Sequence, residues 1–304
     1  MSDALQAWVL SIEGTEAGGR VAVILALISA CAHATFGALQ KGKDVNPWLI
    51  RGAIDIWYFL IALPVALFVF PLPPLALVPV LFGVFAIHTC YKLLLAGAYQ
   101  RGAFTVVYPV VRGISPLATV IFAGFVFGES YRLGQWGGVL LLSLSIMALA
   151  AINIRQTKIG RQTLINALWL AFATGIFTAL YTTYDAWGIR ISHHAFSFLA
   201  WFFVVDGFFF PILSTILYRR MTDPPPLTPM LKRGFVGALI ALLSFGCVMM
   251  ATRLDKVGEA AALRETSVIF AALIGWLFLK EQVGWLRGGL MVLIGLGAVL
   301  VEFG

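Results

Sequence analysis

Charge is what this sequence has least of. Asp, Glu, Lys and Arg make up only 12% of it, about half the share of an ordinary soluble domain, while 61% is hydrophobic. A chain of this length in water could not hide that much apolar surface, because core volume grows too slowly with size. The mean hydropathy of +0.94 belongs to the whole chain, not to one anchor. Cysteine is equally sparse. Cys31, Cys90 and Cys247 lie in three different apolar segments with no paired spacing, which excludes a disulfide framework and a zinc site.

Other absences narrow the function. No glycine-rich phosphate loop is present, so direct drive by ATP within this chain is excluded. No His-rich or paired-carboxylate motif appears, so no cofactor or metal is expected and an enzyme is the least supported reading. No cluster of carbonyl and carboxylate ligands suggests a sodium site, which leaves proton coupling or exchange. The net charge of +7 comes without a basic run interleaved with aromatics, so no nucleic-acid partner is expected. Lys and Arg sit mostly between apolar segments, as in loops facing acidic lipid. Residues 1–19 hold Asp3, Glu13 and Glu16 but no Lys or Arg, unlike the basic opening of a signal peptide. Residues 4–12 are expected to lie as a short helix on the membrane surface.

What is abundant is long apolar sequence. Ten such segments, 21–39, 48–70, 75–99, 104–127, 134–152, 164–188, 195–218, 234–252, 257–279 and 285–302, are separated by short polar breaks. Each is near the roughly 20 residues that span about 30 Å of hydrocarbon as a helix. None alternates like a barrel strand. Lipid obliges each segment to satisfy its own backbone, so the expected fold is an all-α integral membrane protein with ten transmembrane helices.

The two halves resemble each other. A shift of 152 places Arg101 on Arg253, Arg112 on Arg264, Ser115 on Ser267 and Glu129 on Glu281. Charges in apolar surroundings are expensive, so matched ones weigh more than ordinary identities. A shift of 145 places Ala22, Ala26 and Ala34 on Ala167, Ala171 and Ala179, with Ala30 on Gly175, a stripe of small residues that lets helices approach. Five helices is an odd number, so the second repeat enters the membrane from the opposite side. The expected organisation is a polar segment at 1–19, a first five-helix repeat at 20–153, a connector at 154–163 and a second, inverted repeat at 164–304. Thirteen Lys and Arg residues fall in the odd-numbered connections and five in the even-numbered connections and the termini, which places both termini outside the cytoplasm.

Certain residues carry a family resemblance. The fourth segment reads Tyr108-Pro109-Val110-Val111-Arg112-Gly113-Ile114-Ser115-Pro116-Leu117 and closes in Gly128-Glu129. The ninth reads Leu263-Arg264-Glu265-Thr266-Ser267 and closes in Lys280-Glu281, before a Gly-rich last segment. In these the chain resembles the drug/metabolite transporter superfamily in its ten-helix EamA-type form, over almost its full length. His33-Ala34 followed by Lys41 is similar to one bacterial branch, although Phe36-Gly37 stands where that branch has Trp-Asn. The resemblance implies export or exchange of small metabolites through a central cavity, in a bacterial inner membrane. It also implies cytoplasmic termini, against which the charge count is followed here.

Seven ionisable residues lie deep in apolar segments: Lys92, Arg112, Arg264, Asp55, Asp185, Asp206 and Glu265. At such depth a charge is either half of an internal salt bridge or faces a wet cavity. Arg112 and Arg264 are matched by the repeat and are expected to meet near the midplane, where forked guanidiniums suit a carboxylate or phosphate. Tyr108, Arg112, Ser115 and Thr119 share one face of their helix, and His88 and Lys92 share another. Tyr181 and Asp185 stack a turn apart, and His33 and Asp185 are candidate proton-sensitive groups. The expected substrate site is therefore Arg112, Arg264, Tyr108, Ser115, Lys92, His88, Tyr181, Asp185, His33 and Glu265. Arg264, beside Glu265 in sequence, is expected to double as its structural partner.

A secondary carrier for a small anionic or zwitterionic metabolite, working as monomer or homodimer among membrane lipids, is the leading reading. A flippase for a lipid-linked phosphate and a non-transporting scaffold subunit follow.

Overall fold

The computed structural model describes residues 2–40, 46–279 and 284–304. Its helices are α1 (Ser2–Ile12), α2 (Glu16–Gln40), α3 (Pro47–Phe68), α4 (Val78–Arg101), α5 (Phe104–Phe127), α6 (Leu133–Gln156) and α7 (Arg161–Ile191). The rest are α8 (Ala195–Asp206), α9 (Phe209–Arg219), α10 (Leu227–Leu254), α11 (Val257–Arg264), α12 (Ser267–Leu279) and α13 (Trp285–Phe303). Among the described residues nine stretches are long and apolar enough to cross a membrane, and the fold is all-α. Large hydrophobics such as Phe82, Phe125, Trp169 and Val292 stay on the outside, as in a protein whose solvent is lipid.

Local chemistry sets several boundaries. Asn46 accepts from the backbone N–H groups of Trp48 and Leu49 at 3.0 and 3.3 Å, and Pro47 takes the first helical position of α3, where its missing N–H costs nothing. Gly128, with φ of 66°, ends α5 in the left-handed conformation and turns the chain into Glu129. α10 starts directly after the proline connector, with Pro229 in its first turn.

Two expected continuous helices are broken. The segment 195–218 divides into α8 and α9 at 207–208, so that Pro211 falls in a first turn and deprives no helical carbonyl of a donor. The segment 257–279 divides into α11 and α12 at 265–266. The expected surface helix at 4–12 does form, but it packs onto the protein. Val9 is buried, and the Gln6 side-chain oxygen accepts from the Ala195 N–H at the start of α8.

Helix pairings repeat under exchange of the halves. α2 lies against α10 as α7 lies against α4, and α5 against α7 as α12 against α2. α6 pairs with α13, and α3 with α8 and α9. The α6–α13 contact is close because Gly138 and Gly297 face each other. A Cβ on Gly138 would stand 2.7 Å from the Gly297 carbonyl oxygen, whereas one on neighbouring Gly137 would meet nothing within 4 Å. Gly138→Ala should therefore lower stability by about 1–3 kcal/mol and Gly137→Ala should leave it unchanged, read as melting temperature in detergent.

Candidate functional site

The break in the ninth segment lies at a buried polar cluster. Arg112 of α5 donates through Nη1 to the Glu265 Oε1 at 2.9 Å, and its Nη2 contacts His33 Nε2 from α2. Arg264, the last residue of α11, stands with Nη2 3.3 Å from His33 Nδ1 and with its guanidinium over the Phe245 ring at 4.8 Å. One imidazole thus lies between the two guanidiniums. Tyr108 stacks against His33, and its hydroxyl is 3.2 Å from Ser267 Oγ in the first turn of α12. All these side chains are buried, as is Ser115.

The charges in this cluster do not balance. Two guanidiniums face one carboxylate, and a neutral imidazole has one lone pair to offer two cationic donors. Arg264 Nε has no hydrogen-bond partner, nor has Glu265 Oε2. The N-terminus of α12 adds partial positive charge beside the pair. The cluster thus carries surplus positive charge, one orphaned donor on Arg264 and one orphaned acceptor on Glu265.

A second buried cluster is built of alternating charges. Arg51 Nη2 lies 2.8 Å from Asp55 Oδ1, and Lys92 Nζ lies 2.6 Å from Asp55 Oδ2 and 2.7 Å from Asp206 Oδ1. Lys92 also donates to the Asp206 carbonyl at 2.6 Å. His88 continues the chain, with Nδ1 3.3 Å from Asp206 and Nε2 2.9 Å from Asp185. This cluster joins α3, α4, α7 and α8. It places Lys92, His88 and Asp185 in a salt-bridge network rather than beside Arg112, with the Tyr181 ring at 4.6 Å from that of His88.

A cavity of about 510 Å³ leads to the first cluster from the end bearing the 157–160 connector. Lys158, Arg287, Asn153 and Gln156 stand at its mouth, while Phe104, Leu149, Val268 and Met291 wall it. Tyr108 lines it too and connects it to His33 and Ser267. The opposite end is crossed by polar ties, beside a second cavity of about 510 Å³ lined by Tyr131, Lys256 and Glu259. Glu129 accepts from the Val257 and Gly258 N–H groups at 2.8 and 3.3 Å, capping α11, and lies 3.4 Å from Arg190. Arg253 donates to the Ser192 carbonyl at 3.0 Å and pairs with Glu13 at 3.0 Å. Burial and then the hydrogen bond to Glu129 push the Tyr131 phenol well above its ordinary value.

Two sequence expectations are corrected here. Glu265 pairs across the interface with Arg112, not with its neighbour Arg264, because adjacent residues leave a helix about 100° apart. Arg51 and Arg253, counted as loop charges, are ion-paired and mostly buried. Without them the loop bias remains twelve to four. Lys41, Lys43, Lys280 and Glu281 lie outside the described residues.

Fold and hydropathy together define a multi-pass, all-α membrane protein. Residues 165–303 match the EamA-like transporter family. That match covers a little under half of the chain, and the family matched lies within the drug/metabolite transporter superfamily. A solved structure described only as a crystal structure of a protein overlays 93% of this chain and 98% of its own, with a TM-score of 0.73 at 16% identity. At that identity it speaks for the fold alone. Among curated proteins none matches.

Proposed function

We propose that the chain is a secondary carrier for a small amphipathic organic anion. The observation that carries this reading is the pair Arg112 and Arg264 on opposite sides of His33, with one carboxylate between them, at the inner end of a cavity. The basic mouth at Lys158 and Arg287 favours entry of anions, and the apolar walls favour a substrate with a hydrocarbon or aromatic body. The paired pattern of helix contacts supports two inverted five-helix repeats that rock around the Arg pair. The ties of Glu129 to α11 and of Arg253 in α10 to Glu13 brace the far end while the 157–160 end is open, as alternating access requires. The loop charges support an inner-membrane orientation with the 157–160 end in the cytoplasm and both termini outside it.

The direct test uses proteoliposomes preloaded with unlabelled benzoate and diluted into labelled benzoate or benzylammonium. Counterflow of benzoate above that of empty vesicles, without counterflow of benzylammonium, is expected. Equal movement of the cation would overturn the anion reading.

A further inference from the structure

The two buried histidines are placed in opposite ways. His33 lies between two cations and His88 between two carboxylates. A neutral imidazole has one N–H, so it can donate to Asp185 or to Asp206 but not to both. The unserved contact would then set a nitrogen lone pair against a buried carboxylate. Charge along the cluster makes the same point. From Arg51 through Asp55, Lys92 and Asp206 the signs alternate, and the series closes at Asp185 only if His88 carries a second proton. His88 and Asp185 are buried to the point that water cannot stand in.

Among the described residues the other cations beside this triad, Arg51 and Lys92, are already engaged by Asp55 and Asp206. Around His88 stand Tyr91 and Lys92 from its own helix, Arg51, Asp55 and Tyr58 from α3, and Tyr181 from α7. From α8 come Asp206 and the Phe202 ring, and from α10 the Phe245 ring. One further charge lies close by. Arg264 and Asp185 line the same narrow gap of about 10 Å³, together with Tyr181, Phe245 and Met249. Asp185 Oδ1 and Arg264 Nε both lack hydrogen-bond partners, one on each group lining that gap.

We infer that the Asp185–His88–Asp206 triad is a one-proton coupling site, and that Arg264 replaces the proton as the partner of Asp185 when the carrier changes face. This rests on the carrier reading above. The proton leaves to solvent, Arg264 turns from His33 to Asp185, and the net charge of the triad and its cationic partner is conserved. Arg264 sits where α11 meets α12, and α12 forms the cavity wall through Val268, Ala271 and Ala272. Its turn therefore moves that wall. The proton-loaded form is the one with the 157–160 end open, since here Arg264 faces His33.

Two measurements test this without a transported substrate. In ¹⁵N-histidine protein at pH 7.5, assigned with His88→Gln, both His88 ring nitrogens should be protonated in the parent. Only one should be protonated in Asp185→Asn. A singly protonated His88 in the parent overturns the proposal. The second measurement uses maleimide labelling of Ala271→Cys, with Cys31, Cys90 and Cys247 replaced by Ser. Rates are normalised to Thr222→Cys on the exposed 220–226 connector. Labelling of Ala271→Cys should fall at least about threefold between pH 6 and pH 9, as loss of the proton shifts the population away from the open form. Adding Asp185→Asn, whose neutral side chain gives the triad its proton-loaded charge, should hold labelling high at both pH values. Labelling independent of pH in the parent reduces the triad to a structural salt bridge and overturns the coupling. Failure of benzoate counterflow with both results intact would instead count against the anion reading.

Discussion

Lys92→Met is expected to lower the stability of the purified protein by about 3–5 kcal/mol, the cost of leaving buried carboxylates without their cation. Lys92 is 3% exposed and holds Asp55 at 2.6 Å and Asp206 at 2.7 Å, so no water can replace its ammonium. In a chain of this size that is a fall of roughly 10 °C or more in melting temperature. Lys92→Met with Asp55→Asn should recover part of the loss, because one stranded charge is removed with the cation. The double-mutant cycle should therefore show a favourable coupling energy. A single-variant loss below about 1 kcal/mol, within the range of exposed ion pairs, would mean that water reaches this network. The expectation also separates the two clusters. Lys92 is not at the anion site, so the surviving folded fraction should still bind anions.

Arg264→Gln is expected to do the reverse. Its guanidinium forms no salt bridge among the described residues, since Glu265 is engaged by Arg112. What it gives up in the resting protein is the contact with His33 and the face of Phe245, an interaction of about 0.5–2 kcal/mol. If it holds the substrate anion, its loss should weaken binding on the order of 100-fold, or about 3 kcal/mol. Arg264→Lys should fall between, because an ammonium keeps the charge and loses the fork. Arg112 makes a poorer test. Removing it strands Glu265 as well, so lost binding and lost folding would arrive together.

The fold was legible because about 20 apolar residues in a row admit few structures in lipid. Both helix breaks were invisible for the same reason. Hydropathy is summed over a window, and a single turn lost at 207–208 or at 265–266 leaves the sum unchanged. Gly207 and Pro211 were the local signals of the first break, and the second, at 265–266, has neither a proline nor a glycine. The repeat pointed to Arg112 and Arg264 as a pair, and both guanidiniums reach His33. It carried no information on which of the two Glu265 would choose. His33 was singled out as a proton-sensitive group, but its position between the guanidiniums depends on how α2 crosses α5 and α11. Lys92, His88 and Asp185 carried the same signal as the Arg pair, a charge at depth. Only their partners, Arg51, Asp55 and Asp206, show that they belong to a closed network. Arg51 was hidden because it lies in the first turns of its segment, close enough to the preceding break to be counted with the loop charges.

The measurement that bears most directly on an anion carrier is the melting temperature of the parent and of Arg264→Gln with benzoate, benzyl alcohol and benzylammonium. These three ligands have similar bodies and differ in charge, and a ligand that binds the folded state raises its melting temperature by mass action. Benzoate alone should stabilise the parent, and that stabilisation should disappear in Arg264→Gln while its melting point without ligand stays close to that of the parent. Stabilisation by benzylammonium, or by benzoate equally in both proteins, would contradict the assignment of the Arg pair as an anion site.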